Sequence, residues 1–283
     1  MNPRKYASAE AFRIALETRL QRLAVAEGMP LMRLRRQFTF DRFLCRIFRD
    51  ETSVILKGGY AIELRLANAR TTKDIDLCMN KVRGTSATPQ KLQSFFQAKA
   101  SLQLGDYLEF TISSETRSLT NAAYGGSRFS VEANMAGRRF AMFSIDVSFG
   151  DGWIEDQDLL ESRDWLAFAG VRPFGFPSTT VEQQLAEKIH SYTLPRQRPN
   201  SRVKDLVDIV LLTQNFKVNP GRMAASLSRT FKIRKTHSIP TELRPPPAAW
   251  ENVFSRLAGE SELKIDLSDA FAHLKDFYHR FCL

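Results

Sequence analysis

The spacing of apolar residues changes character along this chain. Phe12, Leu16, Leu20 and Leu23 recur at intervals of four and three, which predicts a helix over 8–27 that stops at Gly28. A second helix is predicted over 31–49. It carries Arg33, Arg35, Arg36, Arg42, Arg46 and Arg49, and a solvated helix face accounts for that run better than a dedicated RNA surface. From residue 53 the period shortens. Ser53-Val54-Ile55-Leu56 reads as a short buried strand, Lys57-Gly58-Gly59 follows it, and residues 60–66 return to helical spacing. Residues 74–79 alternate polar and apolar, as a half-buried strand does. A helix is predicted over 88–101, and strands over 107–113, 128–134 and 139–148.

The second half reads differently. Thr179-Thr180-Val181-Glu182 has the form of a capping box and opens a helix through about Tyr192. Residues 194–200 form a basic loop punctuated by proline, and further helices are predicted over 201–214, 219–230, 247–257 and 266–280. The pattern therefore predicts an α/β (α+β) fold. Residues 1–154 form an N-terminal lobe, a helical segment followed by a mixed sheet, and residues 155–283 form a helical C-terminal lobe.

Composition narrows the function. Lys and Arg number 41 against 31 Asp and Glu, a net charge of +10, which favours a polyanionic partner such as nucleic acid. Cys45, Cys78 and Cys282 are too few and too scattered for a disulfide framework or a zinc site. No apolar run approaches the roughly 20 residues of a membrane span, and no hydrophobic signal region opens the chain, so a cytoplasmic protein is expected.

Candidate chemistry centres on Asp74 and Asp76. Residues i and i+2 of a strand point to one face, so these two carboxylates converge. Paired like charges are costly unless a cation lies between them, and a hard divalent ion such as Mg2+ prefers carboxylate oxygens. Lys57-Gly58-Gly59, at a strand-to-helix turn, offers close backbone approach and free N–H groups to a phosphate; the alternative is a tight turn that needs small residues and no ligand. The spacing is not that of the ATPase phosphate loop. Asp146, on the strand predicted over 139–148, is a candidate base or further metal ligand, or a charge at a strand end. Lys188 lies mid-helix, and Arg202, Asp205 and Asp208 recur at intervals of three on a later helix face. That face is either a salt-bridge stripe or a set in which Lys188 neutralises triphosphate and Asp208 orients that lysine or a substrate hydroxyl.

In combination the pieces resemble a known family. Leu56-Lys57-Gly58-Gly59-Tyr60 followed by Arg70-Thr71-Thr72-Lys73-Asp74-Ile75-Asp76 is similar to the first motif of the AbiEii/AbiGii nucleotidyltransferase toxins. Glu187-Lys188-Ile189-His190 resembles their lysine-bearing motif, and Arg202-Val203-Lys204-Asp205-Leu206-Val207-Asp208 their Arg/Lys-x-x-Asp-x-x-Asp motif. The likeness spans roughly residues 50–215 and is nearest to the MenT-like subgroup of tRNA nucleotidyltransferase toxins. It implies a polymerase-beta-like fold, a nucleoside triphosphate substrate, Mg2+ on Asp74 and Asp76, and a tRNA acceptor end that receives a nucleotide, often a pyrimidine. It also implies a cognate antitoxin. Lys188 and Asp208 match the remaining active-site positions, Asp146 only by its strand context. Lys57, Gly58, Gly59, Thr72 and Arg202 are the expected nucleotide-binding residues; Thr72 stands where the subgroup has Ser. A small-molecule or protein hydroxyl is an alternative acceptor, and a non-catalytic RNA- or partner-binding module an alternative class. Phosphorylation of Thr71 or Thr72 would add about two negative charges beside the carboxylates and repel triphosphate.

Overall fold

A computed structural model describes residues 6–80, 88–119, 124–150, 156–197 and 200–281. The expected lobe boundary at 154/155, Cys282, and Arg198 and Pro199 of the basic loop lie outside the described residues.

Helices α1 (Ala9–Ala26) and α2 (Leu31–Phe48) open the chain. They are followed by β1 (Val54–Lys57), α3 (Gly58–Arg65), β2 (Asp74–Met79) and α4 (Pro89–Ala100). Strands β3 (Glu109–Ser118), β4 (Gly126–Met135), β5 (Arg138–Phe149), β6 (Gln157–Glu161) and β7 (Gly175–Thr179) complete the sheet. Helices α5 (Val181–Thr193), α6 (Val203–Asn215), α7 (Pro220–Arg234), α8 (Glu251–Glu260) and α9 (Leu267–Phe281) follow.

The seven described strands form one mixed sheet in the order β3-β4-β5-β2-β1-β7-β6. β2 runs parallel to β5 and antiparallel to β1, and β7 runs parallel to β1. Residues 157–161 and 175–179, expected within the helical part, join this sheet instead, and the chain turns to helices at Thr180. Thr180 rather than Thr179 caps α5, its hydroxyl accepting from the Gln183 N–H at 3.3 Å, while Thr179 belongs to β7.

Strand alternation decides what each face of the sheet carries. Ile75 and Leu77 of β2, Phe129 and Val131 of β4, and Phe143, Ile145 and Val147 of β5 are buried together with α1, α2 and α4 in one core. The intervening residues Asp74, Asp76, Arg128, Ser144 and Asp146 face the other side and are half-buried. A second core gathers α5 to α9 with Ile62 and Ala69. Helix α3 joins the two, with Tyr60 and Ala61 in the first core and Ile62 in the second.

The arginine run on α2 corrects the solvated-face expectation. Arg33, Arg42 and Arg46 are buried. Arg46 donates to both Asp106 oxygens at 2.6 and 2.9 Å, and the Arg42 Nε donates to the same carboxylate at 2.6 Å. A buried acid, 60 residues along the chain from Arg46, compensates both arginines, so this part of the run packs against the fold, whereas Arg35 and Arg36 are half-buried and Arg49 is exposed.

Candidate active site

The carboxylate face of the sheet and helices α5, α6 and α7 enclose a cleft of about 600 Å3. Lys57, Gly58, Gly59, Thr72, Asp74, Asp76, Lys188 and Arg202 line it. Asp146 and Asp208 lie behind its wall, each paired to a lining cation.

β2 places Asp74 and Asp76 on one face, and register does the rest: Asp76 stands opposite Lys57 on β1 and opposite Asp146 on β5. Arg128 on β4 is the cross-strand partner of Asp146. Its Nε and Nη2 donate to the two Asp146 oxygens at 2.5 and 2.7 Å, and Nη2 also reaches Asp74 Oδ2 at 3.1 Å. Burial, then the charges of Asp74 and Asp146, push the Asp76 carboxyl up to about 7, against Lys57 and Lys188. At Asp76, burial and the two neighbouring acids thus outweigh the local cations.

Gly58 sets how closely the turn approaches Asp76. Its φ is +69°, and a Cβ there would lie 1.9 Å from Asp76 Oδ2. A Cβ on Gly59 would lie 2.7 Å from Thr72 Oγ1. Both glycines are therefore required by the close packing of the turn against β2 and the Thr72 loop. The same turn, which lines the cleft, starts α3 without a side-chain cap hydrogen bond.

The loop between α3 and β2 is anchored from beneath. The Thr72 N–H donates to Glu63, which also accepts from Gln37 Nε2 at 2.8 Å and pairs with Arg33 at 3.4 Å. The Thr72 hydroxyl is buried and donates to Asp74 Oδ1 at 3.0 Å, which fixes that carboxylate's rotamer. Arg70, on the same loop, donates side-on to Asp208 at 2.9 and 2.7 Å. Lys188 donates to Asp208 Oδ2 at 2.6 Å. Burial alone would raise Asp208, but Lys188 and Arg70 outweigh it and hold the carboxyl below its ordinary range. Burial alone would likewise lower Lys188, and Asp208 and Asp205 more than offset that. Asp208 is thus a buried counter-ion that orients two cations toward the cleft.

Sequence reasoning left several lining residues without a role. Arg70 lies inside the quoted motif; Glu187 is next to Lys188; Arg128 and Arg234 arrive from distant elements. Glu187 links Arg234 at 3.4 Å and Lys57 at 3.9 Å. Among the described residues eight cationic and four acidic side chains line the cleft, an excess suited to a polyanion. Among the described residues no three acidic, histidine or cysteine side chains converge into a metal site by themselves. A pair of carboxylates completed by substrate phosphates is the ordinary way Mg2+ is held, and Asp74 with Asp76 fits it.

A mixed sheet with an acidic pair on its central strand, facing a helical lobe that supplies a lysine, is the architecture of a nucleotidyltransferase. The nucleotidyl transferase AbiEii toxin family of type IV toxin–antitoxin systems matches residues 42–277, and the chain belongs to that family. In fold the chain is similar to MenT4, a nucleotidyltransferase toxin of Mycobacterium tuberculosis H37Rv. The TM-score is 0.53 at 14% identity, covering 93% of this chain and 95% of that one. A putative nucleotidyltransferase from H. pylori gives a TM-score of 0.48 at 13% identity, covering 87% and 92%. An antigenic nucleotidyltransferase-like protein from Paracoccidioides brasiliensis gives 0.45 at 16%, covering 84% and 97%. No curated protein matches the sequence. Among the described residues no helix is long and apolar enough to cross a membrane.

Proposed function

We propose that this toxin-family nucleotidyltransferase transfers a nucleoside monophosphate, a pyrimidine one, from a nucleoside triphosphate to the 3′ acceptor end of tRNA. Aminoacylation, and with it translation, is then blocked in the cytoplasm until a cognate antitoxin intervenes. The observation that carries the reading is the juxtaposition of Asp74 and Asp76 with the uncapped start of α3 and the Lys188–Asp208–Arg70 cluster in one cleft. The net charge of +10 and the MenT-like motif pattern favour RNA as acceptor.

Asp74 and Asp76 are the residues that would hold Mg2+, which supplies charge neutralisation of the triphosphate when bound. Lys57, the N–H groups at Gly58 and Gly59, Lys188, Arg70 and Arg202 receive the phosphates. The acceptor 3′-hydroxyl attacks the α-phosphorus, a phosphodiester forms, and pyrophosphate leaves. Asp146, on the strand beside Asp76 and engaged by Arg128 on both oxygens, is the candidate base, and the hydroxyl proton passes to it or to solvent. Positioning and electrostatics supply most of the acceleration in such transfers. Phosphorylation of Thr71 on the cleft wall, or of Thr72, whose buried hydroxyl serves Asp74, would repel triphosphate and silence the enzyme.

The test incubates the protein with each labelled nucleotide and total tRNA and sequences the tRNA 3′ ends. Added pyrimidines that vanish with Asp76→Ala support the reading; transfer by that variant at the wild-type rate defeats it. Label appearing on protein or a small molecule instead moves the acceptor, not the site.

A further inference from the structure

Arg128 belongs to no recognised motif, yet it makes the closest contacts in the carboxylate cluster. Its guanidinium lies side-on against Asp146 and extends one nitrogen to Asp74. The Asp74 contact, at 3.1 Å, is the longest of the three, and Asp74 is also the more exposed partner, at 35% against 15% for Asp146. Asp74 is thus the arm that releases first, while Asp146 keeps the guanidinium in place.

We infer that Arg128 decides the form in which a divalent cation enters the cleft, disfavouring the bare ion and favouring the ion carried by a triphosphate. This rests on the nucleotidyltransferase reading above. A bare divalent ion approaching Asp74 meets a guanidinium bonded to the same carboxylate and gains little by displacing it. A cation with triphosphate brings new acceptors for the freed N–H, so the arginine moves from Asp74 to phosphate without losing a hydrogen bond. The same contact keeps Asp146 from closing with Asp74 and Asp76 into a three-carboxylate site. Arg128 is accordingly a positioning residue for Asp74 and Asp146, and its effect is on cation affinity before it is on turnover.

The experiment measures Mn2+ binding to the protein alone, from the electron paramagnetic resonance signal of free Mn2+. The set comprises wild type, Arg128→Gln, Arg128→Lys and Lys73→Gln, the last removing an exposed charge from the same rim. Wild type is expected to bind weakly and Arg128→Gln at least roughly tenfold more tightly, about 1.4 kcal/mol. Arg128→Lys, which keeps a charge but meets one oxygen at a time, is expected to fall between them, and Lys73→Gln to follow wild type. Equal affinity for wild type and both Arg128 variants overturns the inference. So does an equal gain in Lys73→Gln, which would make the effect one of net charge. Separately, equilibrium dialysis of labelled α,β-methylene nucleoside triphosphates against wild type, with and without Mn2+, tests the underlying reading. Retention that depends on Mn2+ supports it. No retention under either condition defeats the nucleotidyltransferase assignment of the cleft itself.

Discussion

Replacing Gly58 with alanine tests the closest packing in the cleft, and the chain contains its own control. Gly28 and Gly58 share a left-handed backbone, with φ of +61° and +69°. Around Gly28 nothing lies within 4 Å of a Cβ, whereas at Gly58 a Cβ would meet Asp76 Oδ2 at 1.9 Å, Cγ at 2.5 Å and its Cβ at 2.7 Å. Gly28→Ala therefore pays only for the conformation, about 1–2 kcal/mol. Gly58→Ala pays the same and must also move either Asp76 or the start of α3, a further 1–3 kcal/mol, roughly, by analogy with overpacked cores. The Asp76 side chain cannot yield without leaving the position that faces Lys57 and Asp146. A displacement of about 1 Å there costs on the order of a hundredfold in rate. The assay pairs urea unfolding with labelled-nucleotide transfer at a temperature where both variants stay folded. Gly28→Ala should lose stability and keep activity; Gly58→Ala should lose more stability and nearly all activity. Equal stability losses with activity intact in both would refute the close approach of the turn to Asp76.

Further outcomes follow from the buried charges. Asp41 is buried, accepts from the Tyr60 hydroxyl at 2.6 Å and Trp165 Nε1 at 2.5 Å, and burial pushes its carboxyl up to about 6. The folded state then binds a proton that the unfolded state has released, so this group's stability contribution is greatest below about pH 4 and declines as pH rises to about 6. The loss is about 3 kcal/mol for a carboxyl moved from 3.8 to about 6. Asp41→Asn should remove that decline, so its stability relative to wild type should rise across the same pH window in urea titrations; parallel profiles would show Asp41 already ionised in the fold. Asp208→Ala leaves Arg70 and Lys188 buried without their shared acid and should cost about 3–5 kcal/mol together with transfer activity. A loss below about 1 kcal/mol in chemical denaturation would mean the two cations find water instead. Thr72→Val removes the hydroxyl that holds Asp74 while keeping the volume. It should lower kcat by roughly tenfold with stability changed by about 1 kcal/mol. An unchanged rate would assign Asp74 its rotamer by other means.

The chain's local periodicity determined most of its elements and the face on which its acids lie. Alternation alone puts Asp74 and Asp76 on one side of β2 and Ile75 and Leu77 on the other, because side-chain direction in a strand is a local property. The helix cores of α1, α5 and α6 are legible for the same reason. Strands β6 and β7 were not, since β7 contains Pro177, a residue that argues against a strand within a sheet, and five residues hold too little pattern to overrule it. Which charges meet was decided only in three dimensions. Arg128 reaches Asp146 through the β4–β5 register, Arg70 reaches Asp208 across 138 residues, and Arg46 is buried because Asp106 folds against it. A charged side chain has no fixed environment in sequence. Its partner sets whether it is solvated, buried or poised in a cleft, and that partner is supplied by tertiary packing.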